Sequence, residues 1–212
     1  MKRLSILLLA GVLLVGGCCD NCDKPFLGEF FLTTAEEDWI AFWDKPALVF
    51  RSATGDEQIF SYIEPFTGFE ELIFDCEETK CGFCCNEFRN AYIFTQLTSS
   101  SGNFVFDITL RKDFVNNTPL DNLEDITASM SITFNNFITC NIIDIPNATF
   151  TETLNLNNKD YFQVFTCDNA GGSVLELQGE PVKFYFTKKD GIVGFEVVGD
   201  VPGETVLWNL QD

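Results

Sequence analysis

The segment ITASMSITF, residues 126–134, decides the fold class of this chain. Apolar residues occupy every second position and small polar residues lie between them: Ile126, Ala128, Met130, Ile132 and Phe134 alternate with Thr127, Ser129, Ser131 and Thr133. A strand turns successive side chains to opposite faces, whereas a helix would not gather this pattern on one side. We therefore predict a β-strand with its apolar face in a core and its polar face toward water.

The same period of two recurs along the chain from Phe26 onward. Residues 103–110 alternate in this way, with only Val105 out of pattern. Further candidate strands are 27–32, 47–51, 58–63, 91–98, 137–143, 149–156, 161–166, 173–177, 182–187, 192–198 and 205–210. The Asp190-Gly191 pair between two of them indicates a hairpin. We predict a mainly β chain: a single antiparallel β-sheet, sandwich or barrel-like domain.

One or two short helices are expected to interrupt this pattern. Thr34-Ala35-Glu36-Glu37 has the spacing of a helix capping box, and the apolar residues that follow it have partly helical spacing. This indicates a short helix that ends before Pro46, and residues 67–70 offer a second, single turn. Trp39 and Trp43 lie on the first helix. They either pack it against the sheet or form an aromatic platform for a ligand.

The first residues have the features of an export signal. Lys2 and Arg3 precede an apolar run, Leu4–Val15, that is too short to span a bilayer. The run ends in Val15-Gly16-Gly17-Cys18, which resembles the lipobox of bacterial lipoproteins. The resemblance implies cleavage before Cys18 and lipid on that cysteine, the alternatives being an ordinary secretory leader cut nearby or an uncleaved anchor. We expect a leader at 1–17, a lipidated tether at 18–26 and one β-rich domain at 27–212.

The acidic character of the chain bears on its location and partners. Asp20 and Asp23 in the tether resemble the export signal of Bacteroidota surface lipoproteins, which implies an outer-membrane protein that faces outward. The formal charge is −19 and the sequence pI about 4.1. Such a body repels nucleic acid and anionic headgroups, so the expected membrane contact is through lipid.

The cysteines favour disulfides. Besides Cys18, eight of the nine cysteines remain, an even number that indicates pairing in an exported protein. Residues 76–85 (CEETKCGFCC) also contain the C-x4-C-x2-C spacing of a [2Fe–2S] loop, and a C-x2-C pair suits zinc or redox chemistry. We favour disulfides because a chain exported unfolded carries no cluster with it. The candidates are Cys76, Cys81, Cys84, Cys85, Cys140 and Cys167. A short loop would run from Cys76 or Cys81 to Cys84 or Cys85, and Cys140 would pair with Cys167.

No catalytic constellation stands out. The chain has no histidine, which removes Ser-His-Asp and Cys-His arrangements. Carboxylates cluster at 36–38, 70–78 and 121–125, and each cluster is typical of a solvated face. We expect a lipoprotein without enzymatic activity, metal or cofactor, with a binding or envelope-structural role toward a protein or glycan. The alternatives are a lipocalin-like carrier with an apolar cavity and, third, a carboxylate-dependent glycan hydrolase.

Overall fold

The computed structural model describes residues 26–40, 45–79, 82–114, 126–148, 150, 152–168, 177–201 and 203–211. Its elements in chain order are β1 (Phe26–Phe30), α1 (Thr34–Glu37), β2 (Leu48–Ser52), β3 (Glu57–Tyr62), β4 (Phe66–Thr79), β5 (Gly82–Ser99), β6 (Val105–Phe114), β7 (Ile126–Phe134), β8 (Ile138–Ile142), β9 (Glu152–Leu156), β10 (Lys159–Asp168), β11 (Pro181–Thr187), β12 (Gly191–Val198) and β13 (Thr205–Leu210). The prediction of a mainly β, antiparallel fold is confirmed. In these ranges no helix is long and apolar enough to cross a bilayer.

The strands hydrogen-bond in the order β8-β7-β6-β5-β3-β2-β13-β12-β11-β10-β9. β1 and β4 lie off this path and each pairs with β5, β1 in parallel. Contacts group the chain into two compact units. The described part of the first is β1 with the Glu70–Asn90 portions of β4 and β5; the second holds Phe31–Phe69 and the residues from Ala91 onward. That residues 27–212 form one domain stays a prediction.

A cluster of phenylalanine rings, the phenylalanine core, fills the second unit. Phe106 on β6 stacks on Phe134 of β7 with ring centroids 4.2 Å apart. Phe106 also meets Phe184 of β11 edge-on at 5.6 Å, although these strands are far apart in the sheet order. The sheet of this unit is therefore curled so that distant strands share one interior. Fully buried rings of this core are Phe50, Phe60, Phe106, Phe134, Phe184, Phe186 and Phe195. Each edge-on or offset pair adds about 0.5–1.5 kcal/mol beyond burial.

A disulfide joins the two ends of this curled sheet. Cys140 on β8 is bonded to Cys167 on β10, with Cα atoms 6.1 Å apart. β8 begins the strand order and β10 is next to its last strand. The predicted Cys140–Cys167 pair is thus confirmed, and it links strands that share no hydrogen bonds in that order.

The segment that predicted the fold class forms β7 with the predicted bounds. Met130, Ile132 and Phe134 are buried in the phenylalanine core. The polar face is less open than predicted. Ser129 is buried, because Asp113 on neighbouring β6 lies over it and accepts a hydrogen bond from its hydroxyl at 3.4 Å. The prediction that Ser129 faces water was wrong.

The helix predictions need two corrections. α1 has four residues and its cap is Thr33 rather than Thr34. The Thr33 hydroxyl accepts from Glu36 N at 3.3 Å, and Thr33 N donates to the Glu36 carboxylate at 2.7 Å. With Thr33 as the cap, the Glu36 carboxylate also forms a largely buried ion pair with Lys112 of β6, at 2.6 Å. The helix ends at Glu37, far from Pro46, and the second turn at 67–70 was wrong because those residues belong to β4.

β4 and the first half of β5 were missed by the sequence analysis. They form a long hairpin across which Cys76 bonds Cys85. Acidic residues, depleted in strands, hide any alternation in β4, so no strand was predicted between 63 and 91 and β5 was predicted as 91–98 alone. The predicted strand 173–177 lies outside the described residues except for Leu177, which is not in a strand.

Candidate functional site

One end of the curled sheet in the second unit carries an open cleft of about 1080 Å³, which we call the mouth cleft. Residues from 54–58, 103–104, 178–179, 197–201 and 204–208 line it. These lie in the β2–β3 turn, the β5–β6 turn, the segment before β11 and the β12–β13 turn, with adjoining strand residues. The mouths of curled or closed β-sheets are common ligand sites because loops surround a rigid floor.

The rim of the mouth cleft is rich in hydrogen-bond acceptors. Its carboxylates and amides are Asp56, Glu57, Asp200, Glu204, Gln58, Asn103 and Gln178. Arg51, which does not line the cleft, forms an exposed ion pair with Glu57. In the part of the chain that the structure describes, no Lys or Arg lines the cleft. The four carboxylates, on a protein of net charge −19, give the cleft a negative potential that repels anions.

Local hydrogen bonds hold Asp56 in the β2–β3 turn. Thr54 Oγ1 donates to Asp56 Oδ2 at 2.7 Å, and Asp56 N donates to Ser52 Oγ at 3.0 Å. Asp and Ser side chains make such turns because they can hydrogen-bond the backbone two to four residues away. The carboxylate is therefore fixed at the rim.

A second hydrogen-bonded clamp holds Asn103. Asn135, in the β7–β8 turn, donates from Nδ2 to the Asn103 carbonyl at 2.8 Å and accepts from Val105 N at 2.6 Å. Gln178 in turn donates to the Asp200 carboxylate across the cleft wall. These contacts fix the backbone of Asn103 and the side-chain amide of Gln178 at the rim.

The floor of the mouth cleft is aromatic. Phe104 and Trp208 line it, and each is 7% exposed. Trp208 stacks on Phe195 at 5.9 Å with planes 9° apart, so the floor continues into the phenylalanine core. Within the described residues the indole Nε1 of Trp208 has no hydrogen-bond partner. A buried donor without a partner costs about 1–3 kcal/mol, and such groups are usually satisfied by water or a ligand.

A second polar group lies on β11 and β12. Tyr185 donates to Glu196 Oε1 at 2.5 Å, and Lys183 Nζ is 3.1 Å from the same oxygen. Burial, and then the hydrogen bond to Glu196, raise the pKa of Tyr185 to about 12. The phenol is therefore a neutral donor near neutral pH. These three residues do not line the mouth cleft, and their interactions tie neighbouring strands together.

The structure describes only one of the two tryptophans, Trp39 and Trp43, that sequence offered as a ligand platform. Trp39 is 4% exposed; it stacks on Phe186 at 6.5 Å and meets Phe150 edge-on at 5.8 Å. Lys188 Nζ lies 5.0 Å from its ring centroid. Trp39 thus packs in the core, and its ligand-binding role stays a prediction. Trp43 lies outside the described residues.

Two cysteines of the 76–85 segment form a disulfide bond. The Cys76–Cys85 bond confirms a short disulfide loop and removes Cys76 from the C-x4-C-x2-C set. Cys18 and Cys81 lie outside the described residues, as does the side chain of Cys84. Where side chains are described, no group of three or more Cys, Asp or Glu residues is arranged to hold a metal ion.

The carboxylates of the mouth cleft were not among the candidates from sequence. The signal was weak: Asp56, Asp200 and Glu204 sit in or beside Gly-containing turns, as surface carboxylates often do. Only the sheet order, which places β3 and β12 on either side of β2 and β13, brings these turns together. Comparison with known protein families, with curated proteins and with solved structures gives no match to this chain.

Proposed function

We propose that this protein is a lipid-anchored outer-membrane lipoprotein that faces outward and binds an uncharged, hydroxyl-rich ligand, a neutral glycan, without transforming it. The mouth cleft carries the binding part of this proposal: an acceptor-rich rim above an aromatic floor. The leader and Val15-Gly16-Gly17-Cys18 support the anchor.

The chemistry of the rim favours a ligand with many hydroxyls. Carboxylate and amide side chains accept hydrogen bonds from hydroxyls, and the amides of Asn103 and Gln178 also offer donors. An acidic ligand would meet four carboxylates with no cation among the described lining residues, which disfavours phosphates and acidic sugars. An open cleft also suits a chain-like ligand.

The alternatives of carrier and hydrolase make different demands. An apolar carrier needs space inside the sheet, and the interior of the second unit is occupied by the phenylalanine core. A glycan hydrolase needs two carboxylates on either side of one bond. The mouth cleft brings Asp56 and Glu57 together with Asp200 and Glu204 from a separate turn, which makes the hydrolase our second candidate.

The test uses the chain from residue 18 with Cys18→Ser, so that it is made without lipid. Neutral and acidic oligosaccharides of matched length are titrated while intrinsic tryptophan fluorescence is followed, and product release is assayed in parallel. Neutral oligosaccharides are expected to bind and to remain intact. Cleavage would favour the second candidate, and preference for the acidic set would contradict the proposal.

Variants locate the site. Gln178→Ala and Asn103→Ala each remove one rim amide, and we expect each to weaken binding about tenfold, as the loss of one good hydrogen bond does. Asn141→Ala, which removes an exposed amide of β8 outside the cleft, is the matched control and should bind normally. Equal loss in Asn141→Ala would place the ligand elsewhere.

A further inference from the structure

β4 is one of the two edge strands among the described strands of the first unit, β1 being the other. Within this unit β1 and β4 each pair with β5, and Glu29 of β1 lies opposite Arg89 of β5. Among the described strands β4 pairs with β5 alone. The other side of Glu71–Thr79, a run of roughly 30 Å, thus presents backbone N–H and C=O groups to a further strand. We call this side the β4 edge.

Three contacts fix the strands that carry the β4 edge. The Cys76–Cys85 bond crosses the hairpin with Cα atoms 4.0 Å apart. Arg89 on β5 reaches Glu71 on β4 at 2.9 Å and Glu29 on β1 at 3.3 Å. These hydrogen bonds, chiefly the one with Glu71, raise the pKa of Arg89 above its usual value. A prearranged edge favours strand addition because little conformational entropy is lost from this side.

The residues of the β4 edge indicate the charge of its partner. Residues 70–79 (EELIFDCEET) contain five carboxylates and no cation. Glu70 and Glu78 are exposed, and so is the apolar side chain of Ile73, at 60%. A second copy of the same strand would place like charges opposite each other, which opposes self-pairing. A basic, extended segment complements this edge in charge and in backbone conformation.

The tether indicates where that partner lies. Eight residues, 18–25, separate the lipidated Cys18 of the proposed function from Phe26, where β1 begins. Fully extended, they reach at most about 26–29 Å. The first unit therefore starts within that distance of the membrane surface. We propose that the β4 edge docks a basic, extended segment of a membrane protein by strand addition.

The probe is a synthetic peptide of about twelve residues that alternates Lys and Val, long enough to cover the edge. It is added to the Cys18→Ser chain, and hydrogen exchange of the backbone amides is followed by NMR. We expect the amides of alternate residues within 71–79 to become protected, since every second N–H points outward from a strand. The second peptide has the same sequence with N-methyl groups along one side, which keeps its charge but blocks one row of hydrogen bonds.

Two proline variants test the edge from the protein side. Leu72 and Ile73 are adjacent, so one N–H points to β5 and the other outward. Leu72→Pro and Ile73→Pro should therefore differ: one disrupts the hairpin, while the other keeps its NMR spectrum and binds the Lys-Val peptide at least about tenfold more weakly. A glutamate-valine peptide is the control for charge and should not bind.

Three results would overturn the proposal. The N-methylated peptide could bind as tightly as its parent, which would mean that only charge attraction is involved. The proline variant that keeps the fold could bind normally. Amides 71–79 could also be protected without any peptide at high protein concentration, which would assign the edge to a second copy. All these experiments use the Cys18→Ser chain and do not depend on lipid. Failure of the anchor would be detected separately, as an unmodified Cys18 in the natural protein.

Discussion

Phe134 is the side chain at which several strands of the second unit meet. The centroid of its ring lies 4.2 Å from that of Phe106 and 5.3 Å from that of Phe195, and its side chain has no exposed surface. Thr133, next to it, points to the other face of β7 and shares a hydrogen bond with Thr139 at 3.0 Å. Truncating Phe134 is therefore expected to lower the free energy of unfolding far more than truncating its neighbour Thr133.

We expect Phe134→Ala to lower the free energy of unfolding by roughly 3–5 kcal/mol, because it removes a buried ring and leaves a cavity. Thr133→Ala, its control, should change stability by less than about 1 kcal/mol, since an exposed hydroxyl exchanges its partner for water. Equilibrium denaturation of both variants measures the difference. Equal effects would contradict the burial of this face.

Tyr185 gives the protein a pH dependence at high pH. Its pKa is raised to about 12 in the folded state, from about 10 in the unfolded chain. The unfolded chain thus loses the proton first as the pH rises. Stability from this group is complete below about pH 10 and falls by about 1–2 kcal/mol between pH 10 and 12.

Tyr185→Phe should remove this part of the decline, and the slope of unfolding free energy against pH measures it. Lys183 lies beside Tyr185 and has a raised pKa, chiefly through its hydrogen bond with Tyr185. Lys183→Met is therefore the companion variant that separates the two contributions. An unchanged slope in Tyr185→Phe would mean that this phenol is not responsible.

At the scale of elements, alternation predicted the strands that have one apolar face. β7 has the predicted bounds because its apolar residues face the curled interior, and β13 also has the predicted bounds. The Asp190-Gly191 hairpin was also confirmed, with Gly191 at φ 76°, a value that glycine adopts readily. β4 could not be predicted in this way, because it belongs to a hairpin fixed by a disulfide and an Arg89 ion-pair network rather than by an apolar face.

Two hairpins had a readable signal that was overlooked. Asn135-Asn136 and Asn157-Asn158 all have positive φ, between 49° and 64°. Consecutive positive φ values are typical of the two-residue turns whose twist matches paired strands, and Asn tolerates them better than most residues. An Asn-Asn pair between β-rich runs therefore predicts a turn here, much as Asp-Gly does.

The Cys140–Cys167 bond should contribute strongly to the second unit. It closes a loop with a sequence separation of 27, for which chain entropy predicts about 3–4 kcal/mol. We expect Cys140→Ser with Cys167→Ser to lose that amount in equilibrium denaturation. Cys76→Ser with Cys85→Ser is the comparison, with a separation of 9 and a cost about 1 kcal/mol smaller. A larger loss from the shorter loop would contradict this entropic account.

At the scale of the whole molecule, the anchor is the prediction with the widest consequences. Mass spectrometry of protein extracted from its own membrane should show an acylated amino terminus at Cys18 and no leader. Cys18→Ala should leave an uncleaved precursor or release the protein. An intact Met1, or a soluble chain with an unmodified Cys18, would remove the basis for the outer-membrane location.

The mouth cleft belongs to the part of the molecule that sequence did not reveal. The absence of histidine excludes the common catalytic arrangements that use it. The carboxylates that sequence singles out, however, are those that cluster along the chain. The cleft instead gathers single residues from turns far apart in sequence, such as Asp56, Asn103 and Asp200. Their proximity depends on which strands are neighbours in the curled sheet, and no local pattern encodes that order.

The bond between Cys140 and Cys167 also affects how the protein responds to cleavage by a protease. It encloses β9 in a covalent ring, so a single cut between the two cysteines leaves both fragments attached. The carboxyl-terminal fragment would keep β13 hydrogen-bonded to β2. Such a nicked molecule would run as one species without reductant and as two with it, and with the proposed anchor at Cys18 both fragments would stay on the membrane.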